Sequence, residues 1–487
     1  MTFETVLACP ATDRNASFQN REVCHRQCTG FLTCTAKDRN ASRAVGLVLV
    51  CSLLVLASSF LPGPAGALSF HTFGFGPKAI GMGNAFTAVA DDFSAAWYNP
   101  AGMTQKKNVE LGLGYQYLRP FLEVNGADFG VRETHSLALG FTLPIPFSAW
   151  LENKVFFGMS FYMPWDLIFG VKVPLPEEPQ FLLLENEPRD LIVNPALAFE
   201  IHPAVSIGGG VILSDNTFGS FKATLTPENE AVLDVNQELP TFFSPSAAIH
   251  FRPGEIWPSL GDLRLGFLWR DEFRIEYTFT PLIGLGYIPL IINFRAVSLY
   301  QPEQYVVGVS FTPLPWLLVA ADLSYNRWSR IPDPNLETSF NFVFPIFPVT
   351  FAPTRAFSPD FHDTLVPRLG VQVRVRESDT LDLFLRFGYS FEESPVPAQT
   401  GVTNYLDGDR NIFSFSPELR LKRWAGRRLE FPLSLGAYVQ FHALAKTSFQ
   451  KDAAVFELFP DYPYTKVEGR GSLLNLGVFV SSSFEWP

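Results

Sequence analysis

Residues 74–103 read GFGPKAIGMGNAFTAVADDFSAAWYNPAGM, and what lies on either side of them decides the fold. The stretch is rich in glycine and alanine, holds the pair Asp91-Asp92 and closes on Asn99-Pro100-Ala101-Gly102. It does not alternate. Immediately after it the sequence takes up period 2 and keeps it to the C-terminus. A segment this short has too little apolar surface for a core of its own. It must pack against something, and a barrel built by the strands that follow offers an interior. A loose periplasmic tail is the competing reading.

Upstream, Arg43 is followed by AVGLVLVCSLLVLASSF and then by Ala65-Gly66-Ala67. A charged edge, an apolar run and a small-residue box make a signal peptide, with cleavage expected after Ala67. The polar residues 1–43 suggest a translation start assigned too far upstream. The expected organisation is a leader and signal peptide over residues 1–67, a plug over 68–107 and a barrel over 108–487. All five cysteines fall at or before Cys51. Cys24, His25, Cys28 and Cys34 have a zinc-like spacing, but no second ligand pair follows, so no metal is expected. No cofactor is expected either.

Downstream, Val109, Leu111, Leu113, Tyr115 and Tyr117 share one face, and Glu110, Gly112, Gly114 and Gln116 share the other. The same pattern predicts strands near residues 108–118, 135–144, 154–163, 191–201, 204–214, 241–252, 262–280, 303–312, 316–327, 366–376, 380–391, 411–422, 428–442 and 470–486. The seventh could be split at Asp271-Glu272; it is kept whole because a single-chain barrel with both ends on one side needs an even number. The connections alternate long and short, as in outer-membrane barrels with long external loops and short periplasmic turns. The fold class is therefore all-β, a 14-stranded antiparallel transmembrane barrel. The last strand ends on Phe484-Glu485-Trp486-Pro487, a partial match to the terminal aromatic read by the barrel-assembly machinery.

Composition agrees. Hydrophobic residues make up 47 % and charged residues 17 % of the chain, with 48 phenylalanines, yet after residue 60 no apolar run is long enough for a membrane helix. The net charge of −11 argues against nucleic-acid binding. No Gly-x-Ser-x-Gly or His-x-x-x-His arrangement is present, so no enzyme activity is expected.

The predicted long loops are apolar. Trp165, Ile168, Phe169, Phe181 and Leu183 lie in one, Ile288 in a second and Phe344 in a third. Such residues suit a surface that captures hydrophobic molecules, or loops packed on one another over the barrel mouth. Among inward cations, Arg386 has Asp382 four residues away and is expected to be neutralised. Arg270, Arg274 and Arg374 are the candidates for holding a carboxylate headgroup.

Lys78-Ala79-Ile80-Gly81-Met82-Gly83-Asn84-Ala85-Phe86, Ala90-Asp91-Asp92 and Tyr98-Asn99-Pro100-Ala101-Gly102 together resemble the N-terminal hatch signature of the FadL-type outer-membrane transporters. Residues 194–199 with 205–210, and 302–311 with Trp316 and Asn326-Arg327-Trp328-Ser329, are similar to that family's barrel strands. The resemblance spans residues 68–487. It implies a barrel closed by a hatch in which Gly81, Gly83, Asp91, Asp92, Asn99, Pro100 and Ala101 take part. It implies passive uptake of hydrophobic molecules, long-chain fatty acids first, with capture by external loops, an inner apolar site and lateral exit into the outer-membrane lipid; the alternatives are uptake of aromatic or aliphatic hydrocarbons, or a structural or adhesive barrel without transport. A monomer is expected.

Overall fold

The computed structural model describes residues 73–164, 177–184, 191–215, 217–225, 231–238, 241–285, 288–334, 337–343, 348–351, 359–424 and 427–485. The leader, the signal peptide and the loop residues Trp165, Ile168, Phe169 and Phe344 lie outside them.

Fourteen strands close into an antiparallel barrel. They are β1 Asn108–Val124, β2 Thr134–Pro144, β3 Val155–Pro164, β4 Ile192–His202, β5 Val205–Asp215, β6 Thr241–Phe251 and β7 Arg264–Arg270. The second half is β8 Gln304–Leu314, β9 Leu317–Asn326, β10 Thr364–Glu377, β11 Leu381–Glu392, β12 Arg410–Trp424, β13 Arg427–Gln450 and β14 Lys466–Glu485. Closure comes from β1, which pairs with β2 and, from Asn108↔Glu485 to Val124↔Gly469, with β14. Outward positions are apolar, as lipid contact demands; Phe413, for one, is 53 % exposed.

The seventh strand is where the sequence expectation of residues 262–280 fails. β7 stops at Arg270, and the chain leaves the barrel at Asp271-Glu272. Phe273–Leu285 joins a second, six-stranded sheet instead, with Ile288–Gln301, Glu337–Val343, Pro348–Phe351, Thr217–Leu225 and Ala231–Glu238. The even strand count survives because the second half of that run belongs to another sheet. Apolar stretches expected to be loops satisfy their backbone groups by pairing with each other. Ile288 opens one of these strands.

Strand ends also pass the expected limits at the long-loop side: β1 reaches Val124 and β13 reaches Gln450. Long loops at one end and tight turns at the other set the orientation. A cysteine at exposed Gly401, in the β11–β12 connection, should react with a membrane-impermeant maleimide on intact cells, and one at exposed Glu377 should not. Labelling at residue 377 with silence at 401 would reverse the orientation.

Candidate functional site

Residues 73–107 lie inside the barrel and have little regular structure. A short helix, Pro77–Gly81, ends early because Gly83 and Asn84 both take positive φ and turn the chain. Four-residue Ala95–Tyr98 and a 3-10 turn, Pro100–Gln105, follow. Asp92 does not cap Ala95–Tyr98 itself. Its Oδ1 accepts the Ser94 N–H at 2.9 Å and the Ser94 hydroxyl at 2.6 Å, one residue ahead of the helix.

A buried segment with few backbone bonds of its own needs partners from outside. The wall supplies them. Asp322 on β9 accepts the N–H groups of Phe86 and Thr87 through Oδ2, at 3.0 and 2.9 Å. His250 Nε2 on β6 lies 2.9 Å from the Ala88 carbonyl, and Asn194 on β4 donates to Ala96 O at 2.8 Å. Arg270 on β7 donates to Trp97 O at 2.5 Å, its guanidinium 3.9 Å from the Trp97 ring centroid. Asn99 is fully buried and bonds three ways: Nδ2 to Thr87 O at 2.8 Å and to Ile249 O at 3.2 Å, and Oδ1 from Ala101 N at 3.0 Å. Inward glycines let the two backbones meet. A Cβ on Gly388 would fall 1.9 Å from Gly83 N, and one on Gly208 2.4 Å from Ala101 N. Gly81 sits against Ser416 in the same way, and Pro100 against Gly208.

At its short-turn end this segment and the wall around it are ionic. Asp91 pairs with Lys78 and lies 3.7 Å from Lys106. Burial by itself would push the Asp91 carboxyl up, but Lys106 and Lys78 outweigh it and hold the group well below the usual carboxylate range. Lys106 also reaches Glu110 at 3.1 Å. Arg386 is neutralised, though not by Asp382: its partner is Glu418 at 2.7 Å, while Asp382 takes Lys422 at 2.7 Å. Cross-strand distance, not spacing along one strand, decides these pairs.

Above it, at the long-loop end, a cleft enclosing about 990 Å³ of atom-free space, counting its mouth, opens between the loops and the strand ends. Leu182, Leu183, Val297, Leu299, Trp328 and Ile331 give it apolar walls, and Arg368, Arg410, Glu392 and Glu393 lie at its polar side. Arg410 is tied to Glu392 at 2.8 Å. Arg368, half-buried on β10, bonds Ser324 Oγ and has no carboxylate within salt-bridge distance among the described residues.

The candidate residues from the sequence separate. Leu183 reaches the cleft. Phe181 is buried beside it, packing with Leu118, Leu122, Leu406 and Phe449, so this loop folds onto its neighbours. Arg270 is occupied by Trp97. Arg274 sits 4.0 Å from Glu272 outside the barrel wall strands. Arg374 is at the opposite end, bonded to Pro315 O at 2.7 Å and Glu377 at 3.0 Å. Sequence reasoning passed over Asp322, His250 and Asn194 as partners of the N-terminal segment. The available signal was a polar side chain at an inward position in mid-strand.

A closed barrel with a cleft of mixed apolar and polar lining at its outer end, and a buried non-strand segment across its lumen, fits a transporter of the outer membrane. The chain belongs to the outer membrane protein transport protein family (OMPP1/FadL/TodX), whose model matches residues 64–417. That family is made up of passive outer-membrane transporters of hydrophobic substrates, not enzymes. The chain is 22 % identical over 437 residues to alkane uptake protein A of Marinobacter nauticus, covering 84 % of this chain and 91 % of that protein. Its fold is similar to that of a Pseudomonas aeruginosa FadL homologue, at TM-score 0.53 and 14 % identity over 87 % of this chain and 99 % of the other. It is also similar to the Ralstonia pickettii toluene transporter TbuX, at TM-score 0.50 and 13 % identity over 85 % and 100 %.

Proposed function

We propose that this transporter takes up long-chain fatty acids, with residues 68–107 acting as its hatch. The observation that carries the acid reading is Arg368, an inward cation lining the cleft beside its apolar wall, with no carboxylate within salt-bridge distance among the described residues. An alkyl chain would lie along the Leu182, Val297 and Ile331 side while Arg368 takes the carboxylate by charge-assisted hydrogen bonds. Straight passage to the periplasm is opposed by the ionic interior around Asp91, Lys106 and Glu418, where an apolar chain gains nothing from burial. A lateral exit suits such a ligand better. Among the described residues, two mid-strand interruptions at a proline offer a place for one. Asn194-Pro195 has no partner in β5 between Val193↔Leu213 and Ala196↔Gly210, and Ser416-Pro417 has none in β13 between Phe415↔Val439 and Glu418↔Gly436.

A second reading, neutral hydrocarbons, is favoured by Arg410 being already neutralised by Glu392 and by a relative named for alkane uptake. Arg368→Gln separates the two. Palmitate binding should weaken roughly tenfold to a hundredfold, the worth of a hydrogen bond to a charged group. Hexadecane binding should not change. Unaltered palmitate affinity in a folded variant would leave hydrocarbon uptake as the function.

A further inference from the structure

We propose that the short-turn ends of β12 and β13 bind the phosphate of an anionic phospholipid in the periplasmic leaflet. Lys422-Arg423-Trp424 ends β12 and Arg427-Arg428 opens β13. Arg423 stands directly opposite Arg428, and Trp424 opposite Arg427. Two arginines facing each other across a ladder repel unless an anion lies between them. The neighbouring β10–β11 turn adds Arg374 and Arg376. Of these cations, Lys422 is matched by Asp382 and Arg374 by Glu377. Arg376, Arg423, Arg427 and Arg428 are exposed and have no ion pair or side-chain hydrogen bond among the described residues. Four cations without an ion pair among the described residues are a local surplus in a chain of net charge −11.

Position points to lipid as the occupant. The outward residues of the same strands, Phe413 and Leu435 among them, are exposed and apolar, and so belong to the lipid-facing band. The cations follow at the short-turn ends of those strands, where the band gives way to headgroups. Trp424, 67 % exposed, is the residue type that settles at this depth. Planar guanidinium forks match phosphate oxygens two at a time. The cluster is continuous with a surface already immersed in lipid, so phospholipid headgroups stand beside it wherever the barrel is inserted.

Native mass spectrometry of the full chain in detergent tests this, with dioleoyl phosphatidylglycerol, dioleoyl phosphatidylcholine and poly-glutamate as probes. The wild type should retain phosphatidylglycerol in preference to phosphatidylcholine. R423Q/R427Q/R428Q should lose that preference by roughly fivefold per cation removed, with phosphatidylcholine retention unchanged. The triple lysine variant should keep most of it. Heat-modifiable migration in gels checks that each barrel is folded. Equal phosphatidylglycerol retention by wild type and the glutamine variant would overturn the proposal. So would arginine-dependent binding of poly-glutamate tighter than that of phosphatidylglycerol, which would make the occupant a protein.

Discussion

Deleting residues 68–98 is expected to convert a nearly silent barrel into an ion-conducting pore. Phe75, Ile80, Met82, Phe86, Phe93 and Trp97, all buried, dominate the main apolar cluster of the lumen. None of them belongs to a wall strand, so every ladder from β1 round to β14 can form without them. An eight-stranded barrel is filled by its own side chains, whereas one of fourteen strands leaves lumen to fill. Here the inward positions facing the segment are often glycine, which leaves more room still once it is gone. The polar side chains that bind it, Asp322, Asn194 and His250 among them, would then line a hydrated passage. In a planar bilayer the shortened protein should give stable ohmic steps at a salt concentration where the intact protein gives few or none. Heat-modifiable migration shows whether the shortened barrel has folded. Should it fold and conduct no better than the intact protein, the segment is not a seal. A Gly388→Leu variant reaches the same question without a deletion, since its side chain would occupy the place of Gly83.

The barrel was legible because lipid on one side and packed lumen on the other impose a strict period of 2, which no propensity argument has to support. The N-terminal segment was legible as a packed body from its glycines and its lack of period. How it is held was not. Its partners come from strands far away in sequence: Asp322 is more than two hundred residues from Phe86. A lone acid in Leu317–Asn326 gives no sign of which backbone it will meet. The inward glycines were a usable signal, since Gly208, Gly266, Gly308, Gly370 and Gly388 all mark wall positions pressed by the segment. The headgroup candidates divided for a similar reason. Arg270 and Arg374 share inward parity with Arg368, which was not among the candidates, and depth along the strand decides which of them meets Trp97, the periplasmic rim or the cleft; Arg274 lies beyond the end of β7, in the second sheet. The second sheet was hidden because its strands pair with each other between separate loops, once in parallel, and no single loop contains the pattern.

Asp322→Ala should loosen the hatch while leaving the barrel intact. One carboxylate oxygen holds both Phe86 and Thr87 N–H groups, and the position is buried, so alanine leaves two donors without partners and without water. Each orphaned donor costs about 1–3 kcal/mol. Together they should raise the population of the unseated segment by roughly thirtyfold or more, with 1.4 kcal/mol for each factor of ten. The wall is not expected to follow, because β9 keeps its backbone pairing with β8 and β10 whatever its side chain at 322. Two measurements should therefore part company. Amide exchange at Phe86 and Thr87 should accelerate and brief conductance bursts should appear, while heat-modifiable migration stays as in the wild type. Asp322→Asn should fall between, since an amide oxygen can still accept both bonds without the charge. Arg368 is the cross-strand neighbour of Asp322 yet should act differently: Arg368→Gln weakens acid binding and leaves the seal silent. If Asp322→Ala exchanged and conducted like the wild type, the two bonds would not be what seats the segment. The seal would then rest on the fit of Gly388 and Gly208 to the hatch backbone.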